Sequence, residues 1–484
     1  MPLNNYEIVI GLEIHIQAKT ASKMFNADAN AFGNNANTQA SYITLAHPGT
    51  LPRVNKKAIN LAIQLGLALG CRINQHCYFD RKNYFYPDLP KGFQTTQDNQ
   101  PICIGGTVEI ETEAGIKNIR LNRIHMEEDA GKSIHDLDDT HSMLDLNRAG
   151  TPLFELVTEP DLRSADEAVK TFAAIQKLTE YLGTSNAVMQ QGNLRCDANI
   201  SVRKKGATEY GTRCEIKNLN SFKFLRKAVN YEAQRQIKIL ESGGEIMQET
   251  RGFDTEKEIT YTQRTKENAH DYRYFPEPDL APIHITDRHL ADLEAAMPEL
   301  PKTKLQRFKS QYKLSDYDAD LLSESMPLAN YFEEVAQISQ QPKKAANWIL
   351  NSLKSYLNEA ELTFSANIIA AQQLADIIKL VEDEKVNIGA AKSQLFPQLI
   401  NNPTANALNI AKKLDILVGQ SENLGTEMVK QIIAQNPKQV ELYTKHGKKN
   451  LLGFFMGKVM KQAKGKLNPK QAEKIIKQLL NNES

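Results

Sequence analysis

Between Arg123 and Asp161 the chain reads RIHMEEDAGKSIHDLDDTHSMLDLNRAGTPLFELVTEPD. It holds three consecutive acids, Glu127, Glu128 and Asp129, then Glu155 inside the apolar run Leu153 to Val157, then Glu159. A carboxylate among apolar neighbours must be paired, hydrogen-bonded or bound to a cation, because a bare buried charge is very costly. Hard oxygen ligands of this kind suit Mg²⁺ or Mn²⁺ rather than zinc. The same stretch also reads as a solvated turn at MEED and a paired strand acid at Glu155, and by itself it leaves both open.

What these acids do depends on the elements around them. Tyr6 to Gln17, YEIVIGLEIHIQ, alternates with period two, so it predicts a strand with one buried face. Glu13 and His15 then leave the other face together, either as metal ligands or as an exposed polar row. Gly11 on that face lets a backbone or a ligand approach closely. LRCDANISVR and TRCEIKN predict a second polar-faced unit, a hairpin. Arg195, Asp197, Asn199 and Ser201 line one strand, and Arg213, Glu215 and Lys217 the next. This mixture suits a nucleotide-plus-metal pocket, and equally a solvated face of ion pairs. The tetrapeptide Ala130 to Ser133, AGKS, imitates the end of a phosphate-binding loop, but Met126 stands where its first glycine is required, so that reading fails.

Two runs mix basic and aromatic residues: DRKNYFYPDLPKG from Asp80 to Gly92, and the segment from Gln248 to Asp279 that ends DYRYFPEPD. Such runs stack bases and hold phosphates, or pack as loops. Helices are expected from Ala58 to Leu69, from Ser164 to Leu182 with a Ser164/Glu167 capping box and a closing Gly183, and from Ser221 to Leu240.

A chain of 484 residues exceeds one ordinary core. Residues 1–293 carry the strands, about 294–405 read as a helical domain, and 406–484 as a basic helical tail. From Thr404 to Ser484 there are fourteen lysines, six acids and no arginine, a net +8 in a chain whose total is +1, so the rest carries about −7. A basic tail on an acidic body suits a nucleic-acid partner, or a lysine-rich solvated surface. No apolar run is long enough to span a membrane, and the N-terminus has no secretory signal pattern. The five cysteines form no CxxC pair, which predicts reduced thiols and a cytoplasmic protein.

GLEIHIQ, HPGTLP, DRKNYFYPDLPKG, HMEEDAGKS, DLNRAGTPLFELVTEPD, GNLRCDANISVR, EIKNLNS, QETRGFD and DYRYFPEPD stand in this order. Together they resemble the GatB family, the B subunits of tRNA-dependent amidotransferases, over essentially the whole chain. The resemblance implies an α+β fold: a mixed-sheet cradle (kinase) domain, an all-α helical domain, and an all-α YqeY-like tail that touches tRNA. It implies GatA and GatC as partners and misacylated Glu-tRNA(Gln) or Asp-tRNA(Asn) as substrate. In such a complex ATP phosphorylates the side-chain carboxylate, and ammonia released from glutamine by GatA displaces the phosphate. The family's Mg²⁺ site maps to Glu13, His15, Glu128 with Glu127 beside it, and Glu155; these are the expected catalytic and metal-binding residues. Arg195, Asp197, Ser201, Glu215 and Lys217 are the expected nucleotide-binding residues. Many relatives carry Cys-x-x-Cys where this chain has Ser41-Tyr42-Ile43-Thr44, so their structural zinc is not expected here. Two other readings stay open: a non-catalytic tRNA-binding scaffold, and a metal-dependent hydrolase of phosphate esters.

Overall fold

The computed structural model describes all residues except 1–4, 136–137, 139, 266–270, 365–367, 419–421, 445–448, 464–466, 468 and 482–484. The chain divides into two compact units, Met1–Leu300 and Pro301–Ser484.

The first unit is built on a ten-stranded sheet. Its central strand is β1 (Tyr6–Gln17), the strand expected from its alternation. The other strands used below are β2 (Asp80–Asn83), β3 (Phe93–Thr96), β4 (Gly115–Glu128), β5 (Pro152–Thr158), β6 (Leu194–Lys204), β7 (Cys214–Ile216), β8 (Glu249–Asp254), β9 (Ile259–Thr265) and β10 (Phe275–Pro276). In the large sheet the order runs β9-β8-β7-β6-β1-β5-β4 and continues through the short strands Cys103–Ile104 and Arg72–Ile73. All these neighbours pair antiparallel except β7 and β8, so the sheet is mixed. β2 pairs with β3 and with β10 in a separate three-stranded sheet.

Ile10, Leu12, Ile14 and Ile16 are fully buried on one face of β1, in a core shared with the helices α1 (Lys56–Ala68), α2 (Ala165–Leu182) and α3 (Phe222–Glu241). Of the expected capping box only the Ser164 half forms, because the Glu167 carboxylate accepts from the Arg163 amide instead of the Ser164 amide. Ser164 Oγ accepts from the Glu167 amide, and Gly183 ends α2 in the left-handed conformation that a glycine adopts without strain. A fourth helix, α4 (Asp287–Ala295), also belongs to this unit, because Leu290, Leu293, Met297 and Leu300 pack on the same core. The compact unit therefore closes seven residues beyond the boundary read from composition.

The second unit is helical, with apolar clusters spanning Phe308 to Ile416 and Val429 to Leu480. Trp348 is core, as expected for a lone tryptophan. No helix among the described residues is long and apolar enough to cross a membrane.

Candidate active site

The polar face of the first unit's sheet is organised by strand register. β1 lies between β6 and β5, and β5 pairs in turn with β4. Residues directly opposite one another therefore form rows across the sheet. One row is Arg195, His15, Glu155 and His125. The next, two residues along β1, pairs Glu13 with Asp197. A third aligns Gly11, Asn199 and Glu215. The expected hairpin of β6 and β7 is present, and its two charged rows do lie side by side.

These rows create two sets of donor atoms. In the first, His15, Glu127 and Glu155 each present an atom within 4.8 Å of the others. His15 Nε2 lies 3.4 Å from Glu155 Oε2 and 3.9 Å from Glu127 Oε1. In the second, Glu13, Asp197 and Glu215 converge equally closely. The residues expected round one ion, Glu13, His15, Glu127, Glu128 and Glu155, do not all fall in one of these sets. Glu13 and His15 share a face but reach different sets. Glu128 reaches neither. β4 runs on through Glu128 instead of turning at MEED, so Glu127 and its neighbour leave opposite sides of the strand. Glu128 instead accepts from Lys91 Nζ and from the Thr95 amide (2.9 Å), against a separate cavity of about 250 Å³.

Both sets concentrate buried negative charge that needs a positive partner. Burial works against the His15 imidazolium, but hydrogen bonding and charge from Glu155, with Glu127 and Asp197, outweigh it and raise His15 to about 9. A proton there supplies the positive charge that two buried acids demand. Burial, and then repulsion from Glu155 and Glu215, raise the Glu13 carboxyl above its ordinary range. Three crowded carboxylates with one lysine among them fit a divalent ion with oxygen ligands, and the imidazole-containing set fits Mg²⁺ or Mn²⁺ less exclusively.

The cations expected to meet phosphates are mostly engaged already. Arg195 is paired with Asp129, and Lys217 Nζ bridges Asp197 Oδ2 at 3.0 Å and Glu215 Oε1 at 2.7 Å. Burial opposes the Lys217 charge, yet the two acids hold its pKa well above normal. Lys217 and Arg195 thus organise carboxylates; neither stands free. Ser201 is buried and lines a cavity of about 240 Å³ with Gly11, Asn199 and Arg213.

Three further contributors stand beside these sets: His125, which sequence reasoning passed over, and Asp129 and the Lys82/Tyr84 cluster, which it noted without assigning them to the site. His125 is buried, with Nε2 3.5 Å from Glu155 Oε2 and 3.7 Å from Glu127 Oε2. Its shared parity with Glu127 was the available signal. Asp129 has the same parity, and also accepts from Gln17 Nε2 at 3.0 Å. Lys82 and Tyr84 form the third. The two basic and aromatic runs meet through the pairing of β10 with β2, and Lys82 Nζ sits 4.8 Å from the Tyr272 ring centre. Burial, then Glu127 and Glu128, push the Tyr84 phenol above its usual range. The part of the second run at 266–270 lies outside the described residues.

Ser41 and Thr44 sit in a hydrogen-bonded network. Asp28 Oδ2 accepts from the Ser41 amide and the Thr44 hydroxyl. Lys23 is fully buried nearby and donates to the Gln39 carbonyl. Burial lowers its pKa to about 8, although Asp28, Asp145 and Glu128 pull the other way. Between about pH 8 and 10.5 the unfolded chain binds more protons at this lysine than the folded one, so stability at this site rises with pH across that window. Lys23→Met removes the titration. The urea midpoint of the parent is expected to gain on that of the variant from pH 8 to 10; a pH-independent difference would contradict the assignment.

Comparison with known proteins follows the same division of the chain. The family described as "GatB/GatE catalytic domain" matches residues 8–291, and the one described as "GatB domain" matches residues 330–480. The second match spans both helical regions separated by composition at residues 405 and 406. A protein of Myxococcus xanthus, named as the B subunit of an aspartyl/glutamyl-tRNA(Asn/Gln) amidotransferase, is 46% identical over 480 residues, covering 99% of this chain and 100% of its own length. Proteins of the same name from Ectopseudomonas mendocina and Pseudomonas syringae pv. syringae are 47% and 45% identical, each over 98% of this chain and over 99% and 98% of their own lengths.

Proposed function

The chain belongs to the GatB family of amidotransferase B subunits, and on that premise we propose that its first unit phosphorylates the side-chain carboxylate of a glutamate or aspartate misattached to tRNA, using ATP. The observation that carries this reading is the pair of donor sets on one sheet face, adjacent because Glu13 and His15 are two residues apart on β1. A carboxylate is a poor electrophile until one oxygen becomes a phosphate leaving group. Mg²⁺ held by His15, Glu127 and Glu155, and by Glu13, Asp197 and Glu215, would supply the positive charge that phosphoryl transfer requires. The residues do the rest. Arg195 and Lys217 hold Asp129, Asp197 and Glu215 in place.

Ammonia then displaces the phosphate. All five cysteines are buried, and burial pushes Cys71 to about 12 and Cys77 to about 11, so these thiols make poor nucleophiles for glutamine hydrolysis. A glutaminase partner of the GatA type, in a complex with a GatC-type subunit, is the proposed source. In the second unit Lys412, Lys413, Lys430, Lys461 and Lys474 are exposed, which supports contact of the tail with tRNA phosphates.

Hydroxylamine trapping tests the reading directly. With the complex, ATP and Mg²⁺, a hydroxamate is expected only when misacylated tRNA is present. ATP turnover that ignores tRNA would instead indicate a phosphate-ester hydrolase. Amidation that proceeds equally without ATP would indicate a scaffold.

A further inference from the structure

The third row of the polar face extends further than the two donor sets need. From Gly11 and Asn199 it continues through Glu215 to Thr250 on β8 and Arg264 on β9. Five strands thus place Arg264 on the same face and line as Glu215, although 49 residues of chain separate them. Thr250 Oγ1 donates to Glu215 Oε2 at 3.0 Å, and Arg264 Nε reaches Thr250 Oγ1 at 3.4 Å. The guanidinium is therefore leaned toward the second donor set through one hydroxyl.

Its charge is available. Around it Arg195, Lys217, Arg235 and Arg251 are each held by carboxylates. Among the described residues Arg264 has no carboxylate partner, and neither has Arg213. Both line a cavity of about 180 Å³ together with Glu13, Asn199, Glu215 and Thr250. Glu249, which also borders this cavity, is occupied by Arg251 and by the Thr262 hydroxyl. Two guanidinium groups without carboxylate partners, sharing a small cavity with Glu13 and Glu215 of the second donor set, make a site for a ligand that binds metal on one side and arginine on the other. A terminal phosphate is such a ligand, with oxygens for both.

We infer that Arg264, supported by Arg213, grips the γ-phosphate of ATP and neutralises its charge during transfer. This inference rests on the kinase reading above. In the step, a substrate carboxylate oxygen bonds to the γ-phosphorus as the bond to the β,γ-bridging oxygen breaks. ADP leaves with the electron pair, and no proton changes hands. Charge spreads over the γ-phosphate oxygens meanwhile, where a planar two-pronged donor acts most strongly.

Arg264→Ala and Arg264→Lys in the assembled complex provide the test. Arg264 is exposed on the outer strand, so shortening it leaves the core intact. For Arg264→Ala, kcat/KM for ATP is expected to fall about a hundredfold or more, with Arg264→Lys between it and the parent. In direct binding the parent should prefer a non-hydrolysable ATP analogue to ADP. Arg264→Ala should lose that preference while its ADP affinity is unchanged. Two results would overturn the inference with the kinase reading intact: ATP parameters and nucleotide preference both unaltered, or a raised KM for aminoacyl-tRNA alone, which would make Arg264 a tRNA-phosphate contact. A parent complex that neither binds ATP nor forms an acyl phosphate would overturn both readings together.

Discussion

Glu155→Gln is expected to lower ATP-dependent transamidation on the order of a thousandfold, while glutamine hydrolysis by a partner subunit survives. Glu155 Oε2 lies closer than the Glu127 carboxylate to both His15 Nε2 and His125 Nε2, so its charge anchors the first donor set. Burial would raise this carboxyl, but the neighbouring histidines and Lys82 hold it well below its ordinary range, so it is ionised at working pH. The amide keeps the shape and loses the charge. Cation affinity, measured by titrating the purified chain with Mn²⁺, should drop at least tenfold. Glu128→Gln is the internal comparison. That carboxylate faces Lys91 and Thr95 on the other side of β4, so cation affinity should stay within about twofold of the parent. Equal losses in the two variants would refute the separation of Glu127 from Glu128.

The second large effect is on stability. Asp129 is buried, and its carboxylate accepts from Arg195 and Gln17, with Arg148 Nε at 3.6 Å. Burial opposes ionisation here, yet Arg195 and Arg148 keep the pKa below its usual value. Asp129→Asn leaves Arg195 largely desolvated without its counter-charge, at a cost on the order of 3 kcal/mol. A depressed carboxyl stabilises above its unfolded pKa and loses that contribution as pH falls through the folded value. The gap between parent and variant should therefore be full at pH 7 and shrink below about pH 4. Hydrogen exchange at β1 and β6 reads this locally; Trp348 fluorescence does not, because that residue belongs to the second unit. An unchanged exchange rate at pH 7 would show that Arg195 does not depend on Asp129.

Much of the scaffold was legible beforehand. Alternation from Tyr6 to Gln17 and from Leu194 to Arg203 put Glu13 with His15, and Arg195 with Asp197, on polar faces, because successive side chains of a strand point opposite ways. Ser164 and Gly183 marked the ends of α2 for equally local reasons. The order of long motifs pointed to the family that the comparisons later matched. Local rules stop where pairing begins. Nothing near MEED said that β4 would continue through it, and on that continuation hangs the parting of Glu127 from Glu128. Nor did spacing say that Arg195 would meet Asp129 or that Lys82 would meet Tyr272; these depend on strand register and on loops joined across long stretches of chain. A one-residue slip of β5 against β1 would turn Glu155 into the core and dissolve the first donor set. Residue types and parity therefore determine which side chains can face a common site, while long-range register determines which of them meet and which charges remain free.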